Sequence, residues 1–207
     1  MNVRTLGLFL ITAALASACN QPSQNVASST PATPPAASTP APAPTGPVKP
    51  PTTDDEMLKS AMSAAPDSVA KDATIMAMNE KMEMRTLRPG TNGWTCVPDM
   101  PTTPGADPMC VDKNGMDWVG AWMSHKDPPK GKIALAYMLA GGSDASNDNP
   151  FATAPKPGSQ WVDTGPHVML LNPGKMLDGY PTSASNTKVP YVMFPNTPYA
   201  HIMMPVK

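Results

Sequence analysis

Methionine and histidine are the side chains of this sequence best suited to metal or acid–base chemistry. Met76-x-Met78 and Met82-x-Met84 flank Asn79-Glu80-Lys81. Alternate residues of a strand share a face, so a hairpin here lines one side with four thioethers, ligands that select Cu(I). His167-x-Met169 and His201-x-Met203 repeat the spacing with an imidazole. Histidine is the only side chain whose unshifted pKa lies near neutrality. His167 and His201 each open a predicted strand after a proline-containing turn, Gly165-Pro166 and Pro198-Tyr199-Ala200. If those strands pair, His167, Met169, His201, Met203 and Asp163 form a minimal metal or acid–base set at one sheet end. Two bland readings stand beside these. Of the 17 methionines all but Met1 lie from Asp54 onward, where only seven leucines occur, so methionine also serves as core filler. The two histidines also serve as polar strand ends bonded to loop backbone. His125, at the end of a predicted helix, reads as a surface cap.

Other chemistry is not signalled. There is no Gly-x-Ser-x-Gly elbow, Walker loop, dinucleotide fingerprint or His-Glu-x-x-His pattern. Gly141-Gly142-Ser143 has no following helix and lysine to make it a phosphate cradle. Trp94, Trp118, Trp122 and Trp161 are scattered and read as core. A net charge of −1 argues against a nucleic-acid partner.

The elements that must position these residues begin at Asp54. Thr53-Asp54-Asp55-Glu56 has the form of a capping box. Met57, Leu58, Ala61, Met62 and Ala65 follow at helical spacing, and Pro66 stops the helix. Residues 73–78, 82–87 and 94–97 read as strands, with links too short for parallel crossovers. Asp99 to Asp112 is rich in Pro and Gly and reads as loop. An amphipathic helix is predicted over 113–126, with Met116, Val119, Trp122 and Met123 on one side, weakened by Gly115 and Gly120. Ile133 to Ala140 is nearly all apolar and predicts a central strand. Gly141 to Gln160 reads as a long polar loop, and residues 167–171, 191–194 and 200–206 as strands, with a helical turn near 175–178. The prolines around the last strands point to sheet edges or ends. The expected fold is α+β, a single domain over 54–207 with a mostly antiparallel sheet of about six short strands and two or three helices.

Residues 1–18 read as a signal peptide: Arg4, then an apolar stretch from Leu6 to Leu15, too short to span a bilayer. Leu15-Ala16-Ser17-Ala18-Cys19 resembles the lipobox of bacterial lipoproteins, with the aliphatic residue four positions before the cysteine where that motif has it three before. Cys19 is the expected lipidation site, and Asn20 after it favours the outer membrane as the address. Residues 19–53 hold ten prolines among Ala, Ser and Thr, with the single charge of Lys49. Such a segment has too little to bury to offset the entropy of ordering, and reads as a disordered tether. In an exported chain with Cys19 lipidated, Cys96 and Cys110 remain, and they predict a disulfide. A redox pair is spaced two apart and a zinc site brings four ligands, and neither pattern is present.

Six strings carry a resemblance: Asn92-Gly93-Trp94-Thr95-Cys96, Pro98-Asp99-Met100-Pro101, Asp107-Pro108-Met109-Cys110, Asp148-Asn149-Pro150-Phe151-Ala152-Thr153, Gly165-Pro166-His167-Val168-Met169 and Thr197-Pro198-Tyr199-Ala200-His201-Ile202-Met203. Over residues 73–206 they look like a family of uncharacterised bacterial exported proteins, a likeness that implies neither activity nor site residues.

Together these readings point to a lipoprotein of the cell envelope, outer-membrane anchored, whose domain is a non-enzymatic binding or structural module for an envelope protein or small ligand. The alternative is a metal-handling or hydrolytic domain using His167 and His201, with copper the one cofactor suggested.

Overall fold

The computed structural model describes residues 48–79 and 83–206. The signal peptide, Cys19 and most of the tether lie outside the described residues, as do Glu80, Lys81 and Met82. The described residues all fall within one compact unit. Its elements in chain order are α1 (Asp54–Met62), α2 (Asp67–Ala70), β1 (Thr74–Met78), β2 (Met84–Arg88), β3 (Thr95–Val97), β4 (Met109–Val111), α3 (Lys113–Met123), β5 (Ala134–Met138), β6 (Gly142–Asp144), β7 (Val162–Thr164), β8 (His167–Leu171), a 3-10 turn (Gly174–Leu177), β9 (Tyr191–Met193) and β10 (His201–Pro205). The class is α+β, mostly antiparallel, as expected. The strand count is higher: an eight-stranded sheet in the order β2-β1-β3-β4-β5-β8-β10-β9, and a separate pair, β6-β7. The expectation missed β4, β6 and β7, all three-residue strands too short to show a period.

The helices start where their caps dictate. Thr53 Oγ1 accepts from the Glu56 N–H at 3.2 Å, and Glu56 Oε2 accepts from the Thr53 N–H at 3.1 Å. Asp112 caps α3, its Oδ1 accepting from the Gly115 N–H at 2.7 Å, while its Oδ2 accepts from the Leu135 N–H of β5 at 3.1 Å. α3 ends earlier than predicted, at Met123, followed by His125 in the left-handed region at φ 55. Its inward face also differs. Gly115 and Trp118 are buried and Met116 and Val119 pack beside them, but Trp122 and Met123 are exposed.

One strand pair corrects the sequence reading. β1 and β3 are parallel, with Thr74 opposite Thr95 and Ile75 opposite Cys96. A short link suffices because β2 reverses the chain first. β2 ends beside the start of β1, with Arg88 opposite Ile75, and residues 89–94 need only step past that end to begin β3. The step is tight: a Cβ at Gly90 would lie 2.1 Å from the Thr74 backbone nitrogen, so no residue with a side chain fits this crossing.

The sheet carries two cores on opposite faces. Below it, α1 and α2 pack Ala61, Ala64, Ala65 and Ala70 against Ile75, Cys96 and Cys110. Above it, α3 packs Trp118 against Val111, Ala134, Ala136, Met169, Leu171 and Met203. The faces swap at β4, where Cys110 points down and Val111 up, as strand alternation requires. The upper face of β5 is therefore buried, while its lower face is covered at Tyr137, which packs on the α1-side core, and open at Leu135. Ala134 and Ala136 lie buried, while Leu135 is 39% exposed.

Cys96 and Cys110 are directly opposite in the β3–β4 ladder and form the expected disulfide. No helix of the described residues is long and apolar enough to cross a membrane.

Candidate functional site

β8 and β10 are adjacent and antiparallel, so the predicted pairing of the two histidine strands is present. Its register decides what the residues can do. Met169 lies opposite Met203, His167 opposite Pro205, and His201 opposite Met193 of β9. His167 and His201 thus share the upper face, but they sit four positions apart along β10, about 13 Å at strand rise. The methionine pair stands between them, and both its members belong to the α3-side core.

Both imidazoles are buried. His167 Nδ1 lies 2.7 Å from the Gly165 carbonyl and His201 Nδ1 lies 2.9 Å from the Tyr199 carbonyl, each two residues back. A carbonyl only accepts, so Nδ1 carries the hydrogen in each ring and Nε2 keeps its lone pair. Burial drives both pKa values down to about 4, against the help of those carbonyl bonds, and His167 depresses His201 further. His201 is an aromatic member of the core, edge-on to Trp118 at 5.6 Å and to Phe194 at 5.5 Å. His167 Nε2 is buried with no hydrogen-bond partner among the described residues, a cost on the order of 1–3 kcal/mol.

Asp163, the predicted carboxylate of this set, joins a different group. It lies on β7 opposite Ser143 of β6 and accepts from the Ser143 hydroxyl at 2.7 Å. The Ser143 N–H donates to Asp107 Oδ1 at 2.6 Å, and the Asp107 N–H donates to Asp99 Oδ1 at 2.8 Å. The Thr103 hydroxyl donates to the other Asp107 oxygen. Burial pushes the Asp107 carboxyl up to about 8, opposed by the Ser143 N–H and assisted by the negative charges of Asp144, Asp99 and Asp163. Desolvation alone raises Asp144 to about 7. Burial also lifts the Tyr191 hydroxyl to about 12, although it is bonded to Thr164 Oγ1 at 2.7 Å. This group adjoins His167 through β6: an added Cβ at Gly142 would lie 3.2 Å from His167 Cε1 and 3.7 Å from Asp107 Oδ1. Glycine lets the small sheet lie directly on the imidazole.

Carboxyls that hold protons near neutrality are typical of functional sites, and also of structural networks. Here the network ties the Pro- and Gly-rich segment after β3 to β6. Among the described residues, no group of three or more His, Cys, Asp or Glu side chains is placed to hold a metal ion. Asp99, Asp107, Ser143 and Asp144 are not grouped by any motif in the sequence. Asp99, Asp107 and Asp144 lie far apart in segments that read as loop, and Gly142 and Ser143 prove to be part of β6.

The remaining candidates separate. His125 is exposed and stacks on Phe151 at 4.1 Å. Trp94 packs on Tyr137 below the sheet, Trp118 is buried above it, and the exposed Trp122 donates its ring N–H to the Pro150 carbonyl at 3.0 Å. These rings do not form one platform.

Comparison with protein-family models, curated proteins and solved structures finds no match for this chain.

Proposed function

We propose that this protein is a cell-envelope lipoprotein, anchored through Cys19 to the outer membrane, whose α+β domain is a non-enzymatic binding module held off the membrane by the segment before Asp54. The reading of the head and tether rests on sequence. What supports a binding module is a group of partly exposed apolar side chains on the lower sheet face, around the buried Ile202. Leu135 lies opposite Leu170, and Val168 lies between Tyr137 and Met204. Leu135 and Ile133 are 39% and 44% exposed, Val206 is 39% exposed, and Val168, Leu170 and Met204 are only half-buried. None of the six belongs to either core. Apolar side chains left exposed together on a sheet face mark interaction surfaces.

The test is photo-crosslinking in intact cells from a reactive residue placed at Leu135, with a second placed at exposed Lys156 as control. The expected result is a defined envelope adduct from position 135 alone. Equal adducts from both positions, or none from 135, overturn the reading. The enzymatic alternative finds less support, since the β8–β10 register keeps His167 and His201 apart.

A further inference from the structure

Three methionines of the β1–β2 hairpin lie on one face outside both cores. Met109, Met116, Met138, Met169, Met193 and Met203 all belong to or pack on the α3-side core, where they do the work of leucine. Met76, Met78 and Met84 belong to neither core. Ile75 and Ala77 of β1 are buried, Ile75 in the core beneath α1, so Met76 and Met78 stand on the opposite face, half-buried. Met84 of β2 is half-buried directly opposite Met78. The Asn79 N–H donates to the Glu83 carbonyl at 2.9 Å. That bond makes Asn79–Glu83 a hydrogen-bonded pair, so Met78–Met84, the next pair along, is of the closer, non-bonded kind. Met76 follows on the same face about 7 Å further along the strand, a distance that side chains with three torsions close readily.

We propose that the thioethers of Met76, Met78 and Met84 form a Cu(I)-binding site on the β1–β2 hairpin. Three neutral, soft donors on one face select Cu(I) over hard divalent cations. The two cationic side chains of β2 are turned away from it: Arg85 pairs with Asp54, and Arg88 donates to the Ala70 and Ala73 carbonyls at 2.6 and 3.1 Å on the α1 side. Cys96 and Cys110 are joined to each other, which leaves thioethers as the soft donors of the described residues. Binding is coordination alone: the metal enters and leaves as Cu(I), and no electron is transferred. The site stands apart from the apolar patch, and either can fail without the other.

The test is anaerobic titration of the full chain, in a Cys19→Ala background that removes the free thiol, with Ag(I) as the redox-inert probe and Cu(I) against a competing chelator. Methionine methyl groups labelled with carbon-13 report the site. The expected result is one ion per chain, with the Met76, Met78 and Met84 methyl resonances shifting together. Met76→Leu/Met78→Leu/Met84→Leu then binds at least tenfold more weakly, while Met123→Leu/Met176→Leu, at two exposed thioethers, binds as before. Non-saturable uptake, shifts at other methionines, or equal affinity in the triple variant overturns the proposal. If the triple variant does not fold, Met78→Leu alone decides: unchanged affinity there is equally fatal.

Discussion

At the scale of single residues, the buried ionisable groups make stability depend on pH in two opposed ways. His167 and His201 are neutral in the fold, with pKa values lowered from 6.5 to about 4. The unfolded chain binds their protons first as pH falls. Their contribution is complete above the unfolded value, is lost as pH drops from about 6.5 to about 4, and amounts to roughly 3 kcal/mol for each ring. Thermal unfolding followed across that window should show a steep acid limb. His201→Phe, which keeps a ring between Trp118 and Phe194, should flatten it; an unchanged limb would place the sensitivity elsewhere. Asp107 acts with the opposite sign. Its folded pKa is raised to about 8, so the fold loses stability as pH rises from about 4 towards 8 and the unfolded carboxyl ionises more easily. Asp107→Asn keeps an acceptor for the Ser143 N–H and cannot ionise. Its melting temperature relative to the parent should climb between pH 5 and pH 9, and a flat difference would refute the assignment. The histidines were visible in the sequence because residue type alone marks them. Asp107 was not, because its chemistry comes from β6 being laid across it by residues some 36 positions away in the chain.

At the scale of elements, what was legible had either a cap or a period. The Thr53–Glu56 box, the apolar run of β5 and the His-x-Met alternation of β8 and β10 each specify a structure locally, and each is present. β4 escaped notice because Met109–Val111 is three residues long and follows a Pro- and Gly-rich stretch. Its identity comes from its neighbours β3 and β5 and from the disulfide it carries. The parallel β1–β3 pair escaped for a related reason. Link length between consecutive strands says nothing about which side of β1 the third strand joins. The disulfide is the element-scale feature most open to test. It closes a loop of 14 residues, for which chain entropy gives roughly 3 kcal/mol. Cys96→Ala/Cys110→Ala should move the urea midpoint down accordingly without altering the far-ultraviolet spectrum. A shift below about 1 kcal/mol would mean that the β3–β4 ladder already restrains the unfolded chain.

At the scale of the whole molecule, the eight-stranded sheet is covered by unequal means. α1 and α2 cover one face at the β1–β3–β4 end, and α3 covers the other at the β4–β5 end. On the lower face beyond α1 and α2, Leu135, Val168, Leu170 and Met204 belong to neither core, while Tyr137 packs on the α1-side core and Ile202 is buried. Leu170→Lys places charge on that face at a half-buried position outside either core, and should abolish the crosslink expected from position 135 at a cost of about 1 kcal/mol or less. A large loss of stability would instead show that the patch is part of the core. This surface was not legible in advance. An all-apolar strand reads as buried on both sides, and only the helix positions show that Leu135 is left partly exposed.

The Cys96–Cys110 bond also has a mechanical meaning. A domain held from its N-terminal end is pulled at α1, and tension would strip α1, α2, β1 and β2 from the sheet in chain order. β3 is the first strand bonded covalently to the remainder. Its cysteine is tied to β4, the strand that contributes to both cores. A load reaching residue 96 passes through the bond directly to residue 110, so the segment between the two cysteines stays out of its path. The bond acts as a rivet that keeps residues 97–109 from being drawn out by a pull on the N-terminal side.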